Sequence, residues 1–152
     1  MKIGVASDHA GYEYKNRLAE LLTKKGYDVA DYGTYSDVSC DYSDYAHALG
    51  DAVERKEVDL GVALCGTGNG MAMSLNKHKG IRAACCSDTF SARMTRAHNN
   101  ANVLCLGGRV VGAGLAIDMV ELFLNTEFEG GRHQTRVDMI TEVEETQNIK
   151  GY

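Results

Sequence analysis

The residues with the clearest chemical capacity are a cysteine and the run behind it, Cys65-Gly66-Thr67-Gly68-Asn69-Gly70. Glycines at alternate positions let a backbone approach a ligand and turn its N–H groups inward. A helix opening behind the run adds a positive field. Together these make an oxyanion cradle, and the same surroundings favour a thiolate at Cys65. A thiolate beside such a cradle suits proton abstraction from carbon. The bland alternative is a buried cysteine above a tight turn; the cradle weighs toward function. Three glycines alone are weak evidence. The spacing is not a dinucleotide fingerprint, and no Gly-Lys-Ser/Thr follows as in a P-loop. A cysteine phosphatase would carry arginine about six residues on, where Met71 stands.

Three further segments carry polar chemistry. Ser7-Asp8-His9-Ala10-Gly11 pairs an acid with a histidine, and Asp8 also suits a helix cap. Gly130-Gly131-Arg132-His133-Gln134-Thr135-Arg136 sets two arginines four apart on one helical face. Their guanidinium forks suit a phosphate dianion, although exposed arginines usually face water. Gly107-Gly108-Arg109 offers another cation.

Alternating short apolar and longer amphipathic runs must position these groups. Strands are expected at Lys2–Ser7, Tyr27–Tyr32, Asp59–Leu64, Ile81–Cys85 and Val103–Leu106. Helices are expected at Gly11–Lys25, Ser43–Lys56, just after the glycine run, Thr89–Ala97, Gly112–Asn125 and Gln134–Gln147. Strand and helix in alternation mean βαβ units. The expected fold is α/β, a Rossmann-like three-layer α/β/α sandwich with a five-stranded parallel sheet. It forms one domain over residues 1–152, with residues 148–152 a frayed tail. Ligands of such sheets gather outside the carboxyl ends of the strands.

Cys65 and Asp8 follow strands and share that edge. Ala97-His98-Asn99-Asn100 precedes a strand and falls at the opposite, amino edge. A strand of four to six residues separates the edges by roughly 13–20 Å. Two readings of His98 therefore stand. It is a loop residue of no catalytic note, or it serves the site of a neighbouring chain in a symmetric homodimer.

The 152 residues carry a net charge of -5, which argues against a general attraction to nucleic acid or anionic membranes. An anionic ligand needs a local basic cluster. No apolar run reaches the length of a membrane span, and the N-terminus enters a strand without a signal-peptide core. Five cysteines without a Cys-x-x-Cys pair signal neither a disulfide framework nor a zinc site, so a cytoplasmic setting is expected. Cys40, Cys85, Cys86 and Cys105 read as packing residues, His47 and His78 carry no site signal, and no carboxylates and histidines cluster as metal ligands would.

Several segments, in this order, resemble the ribose/galactose/allose phosphate isomerases, with ribose-5-phosphate isomerase B as the nearest type. They are Ser7-Asp8-His9-Ala10-Gly11, Asp31-Tyr32-Gly33-Thr34, Cys65-Gly66-Thr67-Gly68, Asn76-Lys77, Gly80-Ile81-Arg82-Ala83, His98-Asn99, Gly108-Arg109-Val110-Val111-Gly112 and Glu129 to Arg136. The resemblance implies an aldose–ketose isomerase without cofactor or metal. It implies Cys65 as base, Thr67 as proton shuttle between substrate oxygens, and His98 as the ring opener. The N–H groups of Gly66, Gly68, Asn69 and Gly70 would face the enediolate. Asp8 and Asn99 would hold hydroxyls. His9, Arg109, Arg132 and Arg136 would hold the phosphate. It also implies a homodimer with composite sites, with tetramers left open. Ser43 stands where the family often has proline, Asn69 where an aliphatic residue is usual, and Met73-Ser74-Leu75-Asn76 where alanine is commoner. These departures bear on which sugar is used more than on the reaction.

Overall fold

The central strands of this chain are apolar at nearly every position, because helices cover both faces of the sheet they form. The computed structural model describes residues 1–147; the expected frayed tail lies outside them. Strands β1 (Lys2–Ser7), β2 (Asp28–Asp31), β3 (Leu60–Cys65), β4 (Ala83–Cys85) and β5 (Val103–Gly107) are all parallel, in the order β2-β1-β3-β5-β4. Every residue of β3 and β5 is buried, whereas the edge strands β2 and β4 are short and partly exposed. The α/β fold with a five-stranded parallel sheet is therefore as expected.

Side-chain alternation sends successive residues to opposite layers. Ile3, Val5, Val62, Leu64, Leu104 and Leu106 face one core with α1 (Tyr12–Lys24), α4 (Thr89–Asn99) and α5 (Ala113–Leu124). Ala6, Ala63, Cys65, Val103 and Cys105 face the other with α2 (Tyr42–Glu54) and α3 (Asn69–Leu75). The last helix, α6 (Arg132–Thr146), packs against α4. The chain runs from β1 outward to β2, then returns to β3 on the other side of β1. That reversal leaves a crevice at the carboxyl ends of β1 and β3, where Asp8 follows one strand and Cys65 ends the other.

Two expected boundaries shift with consequence. Helix α4 continues two residues past Ala97, to Asn99. It stops where Asn100 turns left-handed at φ 48°, a conformation asparagine tolerates. His98 thus lies on the last helical turn and is no loop residue. Helix α6 begins at Arg132 rather than Gln134, directly behind Gly131 at φ 54°.

Candidate active site

The glycine run closes over the end of β3 and is held from both sides. Beyond the strands, Gly108 donates its N–H to the Cys65 carbonyl at 2.8 Å and Arg109 donates to that of Gly66 at 3.1 Å. Cys65 is 4% exposed, and the Gly68 N–H points at its sulfur at 3.0 Å. A hydrogen bond donated to sulfur stabilises negative charge there. Gly68 has φ +84°, and a Cβ on it would lie 2.9 Å from the Leu106 backbone and 2.9 Å from Cys85 Sγ. Across the gap, a Cβ on Gly107 would stand 2.8 Å from the Thr67 carbonyl oxygen. The cradle therefore needs glycine on both strands that shape it. Thr67 is exposed at the tip, its hydroxyl accepting the Asn69 N–H at 3.3 Å. The exposed Arg109 runs alongside Gly66 and Ala10.

Asp8 is 6% exposed, and its Oδ1 accepts the N–H groups of Ala10 at 2.9 Å and Gly11 at 3.2 Å. Its own N–H is tied to the Leu64 carbonyl at 3.1 Å. The N-cap of α1 is Gly11, which receives no side-chain cap. Asp8 thus organises the turn before the helix instead of capping it. His9 accepts the Cys40 backbone N–H on Nδ1 at 3.2 Å. A neutral His9 so held carries its proton on Nε2, leaving that nitrogen as a donor.

His98, Asn99, Arg132 and Arg136 gather elsewhere. Helix α4 runs back from the carboxyl end of β4 to the start of β5, a length of roughly 16 Å. Its last turn therefore lies at the amino edge, opposite Cys65. There the His98 ring stacks on His133, centroids 4.2 Å apart and planes 6° from parallel. Glu129 Oε2 faces both rings, 3.8 Å from His98 Nε2 and 3.5 Å from His133 Nε2. Asn99, Arg132 and Arg136 are exposed around this stack. Of the sequence-derived candidates, the chain thus gathers Asp8, His9, Cys65, Thr67 and Arg109 at one edge, and His98, Asn99 and the α6 arginines at the other.

The role of His133 as the platform under His98 was not read from the sequence. Its signal was the i, i+4 pair Glu129 and His133 around Gly130-Gly131. Burial, then His98 and Arg132, lower the His133 pKa. The unfolded chain therefore binds a proton that the native ring resists. Stability from the neutral ring is complete above the ordinary histidine value of about 6.5 and is lost as pH falls through the lower native value. Melting temperatures measured from pH 7.5 to 5 should fall more steeply for the wild type than for His133→Gln. Equal slopes would remove His133 from the acid response.

The packing reading holds for Cys86 and Cys105, while those of Cys40 and Cys85, and the expected lack of clustered metal ligands, need correction. Cys86 and Cys105 are buried packing residues, with the Cys86 thiol pushed up to about 11 chiefly by burial. Cys40 is only half-buried and braces His9, and Cys85 is an exposed residue whose sulfur lies 3.5 Å from the Thr67 carbonyl. Burial of that sulfur under the loop, then Cys65, raise its pKa. Carboxylates and histidines do cluster: His98, Glu129 and His133 in one place, Asp51, Glu54 and His78 in another. Sequence spacing hid them because each set joins separate elements. A groove of about 1030 Å³ beside β4 touches Asn99 but neither Cys65 nor His98. Cavity size therefore does not mark out the candidate residues, which lie at two edges of the sheet.

A thiol in a backbone cradle at the switch point of a parallel sheet, with separate cationic groups, defines an α/β enzyme that handles an anionic ligand. Residues 3–140 match the family described as Ribose/Galactose Isomerase. Ribose-5-phosphate isomerase B of Escherichia coli is 44% identical over 97% of this chain and 99% of its own. The solved ribose-5-phosphate isomerase B of Clostridium thermocellum superposes with a TM-score of 0.95 at 49% identity, covering 97% of this chain and 100% of that one. The Mycoplasma genitalium enzyme, solved with bound ribulose-5-phosphate, gives a TM-score of 0.92 at 43% identity over 95% and 97%. The chain belongs to the ribose/galactose isomerase family, and it is an isomerase.

Proposed function

We propose that this chain interconverts ribose 5-phosphate and ribulose 5-phosphate by proton transfer through an enediolate, without a metal ion. The observation that carries the reading is the Gly68 N–H on Cys65 Sγ at 3.0 Å, inside a backbone cradle that needs glycine at positions 68 and 107. The thiolate of Cys65 takes the C2 proton of the open-chain aldose and returns it to C1. Negative charge develops on O1, where the N–H groups of Gly66 and Gly70 supply donors, while those of Gly68 and Asn69 hold the Cys65 sulfur and the Thr67 hydroxyl beside it. Thr67, exposed at the tip, moves a proton between O1 and O2. Asp8 and Asn99 hold hydroxyls. His9, donating from Nε2, and Arg109 hold the phosphate with Arg132 and Arg136. This remote grip orients the reacting carbons.

His98 opens the furanose ring. Because it lies a strand's length from Cys65 in its own subunit, it acts in the site of a symmetry mate, as do Asn99, Arg132 and Arg136. The working unit is then a homodimer with two composite sites. Work in the cytoplasm fits the substrate.

Chelator-treated protein should convert ribose 5-phosphate in D2O and incorporate solvent deuterium at C1 of the product. Retention of all substrate hydrogen at full turnover would exclude a solvent-exchanging base. Allose 6-phosphate in parallel would expose a preference for a longer sugar; Asn69, exposed beside the cradle, is where such a preference would be read. The composite site has its own test. Cys65→Ala and His98→Asn homodimers should each be inactive, while random co-assembly should restore about 25% of wild-type activity, since half the dimers carry one intact site. No restoration by demonstrated heterodimers would place both residues in one subunit's site.

A further inference from the structure

We infer a divalent-metal site, suited to Zn(II), formed by His78, Asp51 and Glu54 at the far end of the α2–α3 layer from the cysteine cradle. It is independent of the proposed reaction. Helix α2 presents His47, Asp51 and Glu54 at helical spacing. His78 comes from the turn after α3, with its side chain only 12% exposed. A glycine seats it: a Cβ on Gly50 would lie 2.7 Å from the imidazole Cδ2 and 2.8 Å from Nε2. The helix thus keeps a bare patch against which the ring lies flat.

The two ring nitrogens have different partners. Nε2 of His78 lies 2.8 Å from His47 Nδ1, a hydrogen-bonding distance. Nδ1 faces Asp51 Oδ1 and Glu54 Oε2, each at 3.5 Å. Those separations exceed an ordinary N–H···O bond of about 2.7–3.2 Å. They match the ligand–ligand edge of a tetrahedron with metal bonds of about 2.0–2.2 Å, which is about 3.3–3.6 Å. A His78 that donates from Nε2 to His47 directs its Nδ1 lone pair at two carboxylates, an arrangement that calls for a cation between them. A ligating histidine whose other nitrogen donates to a fixed acceptor is the usual outer-shell pattern. His47 is thus a positioning residue. Asp51 is 54% and Glu54 43% exposed, so water can complete the coordination. Among the described residues, Arg55 approaches the acids at Asp51 Oδ2, at 4.0 Å. One imidazole with two carboxylates suits Zn(II) or Co(II) better than a hard all-oxygen ion. Bound metal would tie α2 to the α3–β4 turn.

The test uses full-length protein stripped by chelator and titrated with Zn(II) against a chromophoric competitor. One tight site per chain is expected, with a Zn(II)-dependent rise in melting temperature and visible Co(II) bands of four-coordinate type. His78→Gln should abolish all three while leaving circular dichroism and isomerase turnover intact. Asp51→Asn and Glu54→Gln should each weaken binding, and His47→Gln should weaken it roughly tenfold to a hundredfold. His98→Asn, which breaks the other histidine–carboxylate cluster, should leave this site unchanged. Equal Zn(II) binding by wild type and His78→Gln, or loss of the tight site only in His98→Asn, would overturn the assignment and make the cluster an ion pair.

Discussion

Replacing Cys65 with alanine is expected to lower kcat by about 10²–10⁴-fold, the range a positioned base contributes. KM for the sugar phosphate should stay within a few-fold. The split follows from the proposed roles, in which the sulfur serves the reacting carbons while His9 and the arginines grip the phosphate. Removing a group used only in the transition state lowers kcat and kcat/KM together. The fold should tolerate the change. Cys65 is a small residue at the end of a buried strand, and its side chain accepts a single bond, from Gly68. Cys65→Ser keeps that hydrogen bond but has a far less acidic group, so it too should be nearly inactive. Most activity surviving in the alanine variant would mean that another group moves the proton.

Gly68→Ala should be nearly as damaging for a different reason. At φ +84° a side chain costs about 1–2 kcal/mol in strain. The added Cβ would also meet the Leu106 backbone and Cys85 Sγ, both at 2.9 Å. Leu106 lies inside a fully buried strand and cannot move aside, so the loop must. Its movement withdraws the N–H from Cys65 and displaces the neighbouring donors. A lost oxyanion donor costs about 10²–10³-fold in kcat. The expected result is that loss with a modest fall in melting temperature. The double variant Gly68→Ala/Cys85→Ala relieves one of the two collisions and should recover part of the stability but little of the activity. Wild-type kcat in a folded Gly68→Ala variant would show that the cradle geometry is not what activates the thiol.

The placement of the candidate groups was legible in the sequence as far as it was local. A buried strand ending in Cys65 before alternating glycines fixes a loop at a strand's carboxyl end, because periodicity and glycine content act over a few residues. The parallel sheet followed from alternation of element types, and the division of Cys65 from His98 followed from strand length alone. The helix ends were less legible. Helix α4 runs past Ala97 to Asn99 and stops only where Asn100 turns left-handed, a stop that the flanking Asn-Asn-Ala-Asn run did not place to the residue. The contacts between distant elements were not legible at all. Stacking of His133 under His98 joins α4 to α6, the brace from Cys40 to His9 spans 31 positions, and the seat of His78 on Gly50 joins a turn to a helix face. Such meetings depend on how layers pack and on which side chain a neighbouring Cβ leaves room for. Residue types and short spacings thus determined the candidate groups and the fold class. Only the packed tertiary structure decided which groups stand within hydrogen-bonding or ligand distance of one another.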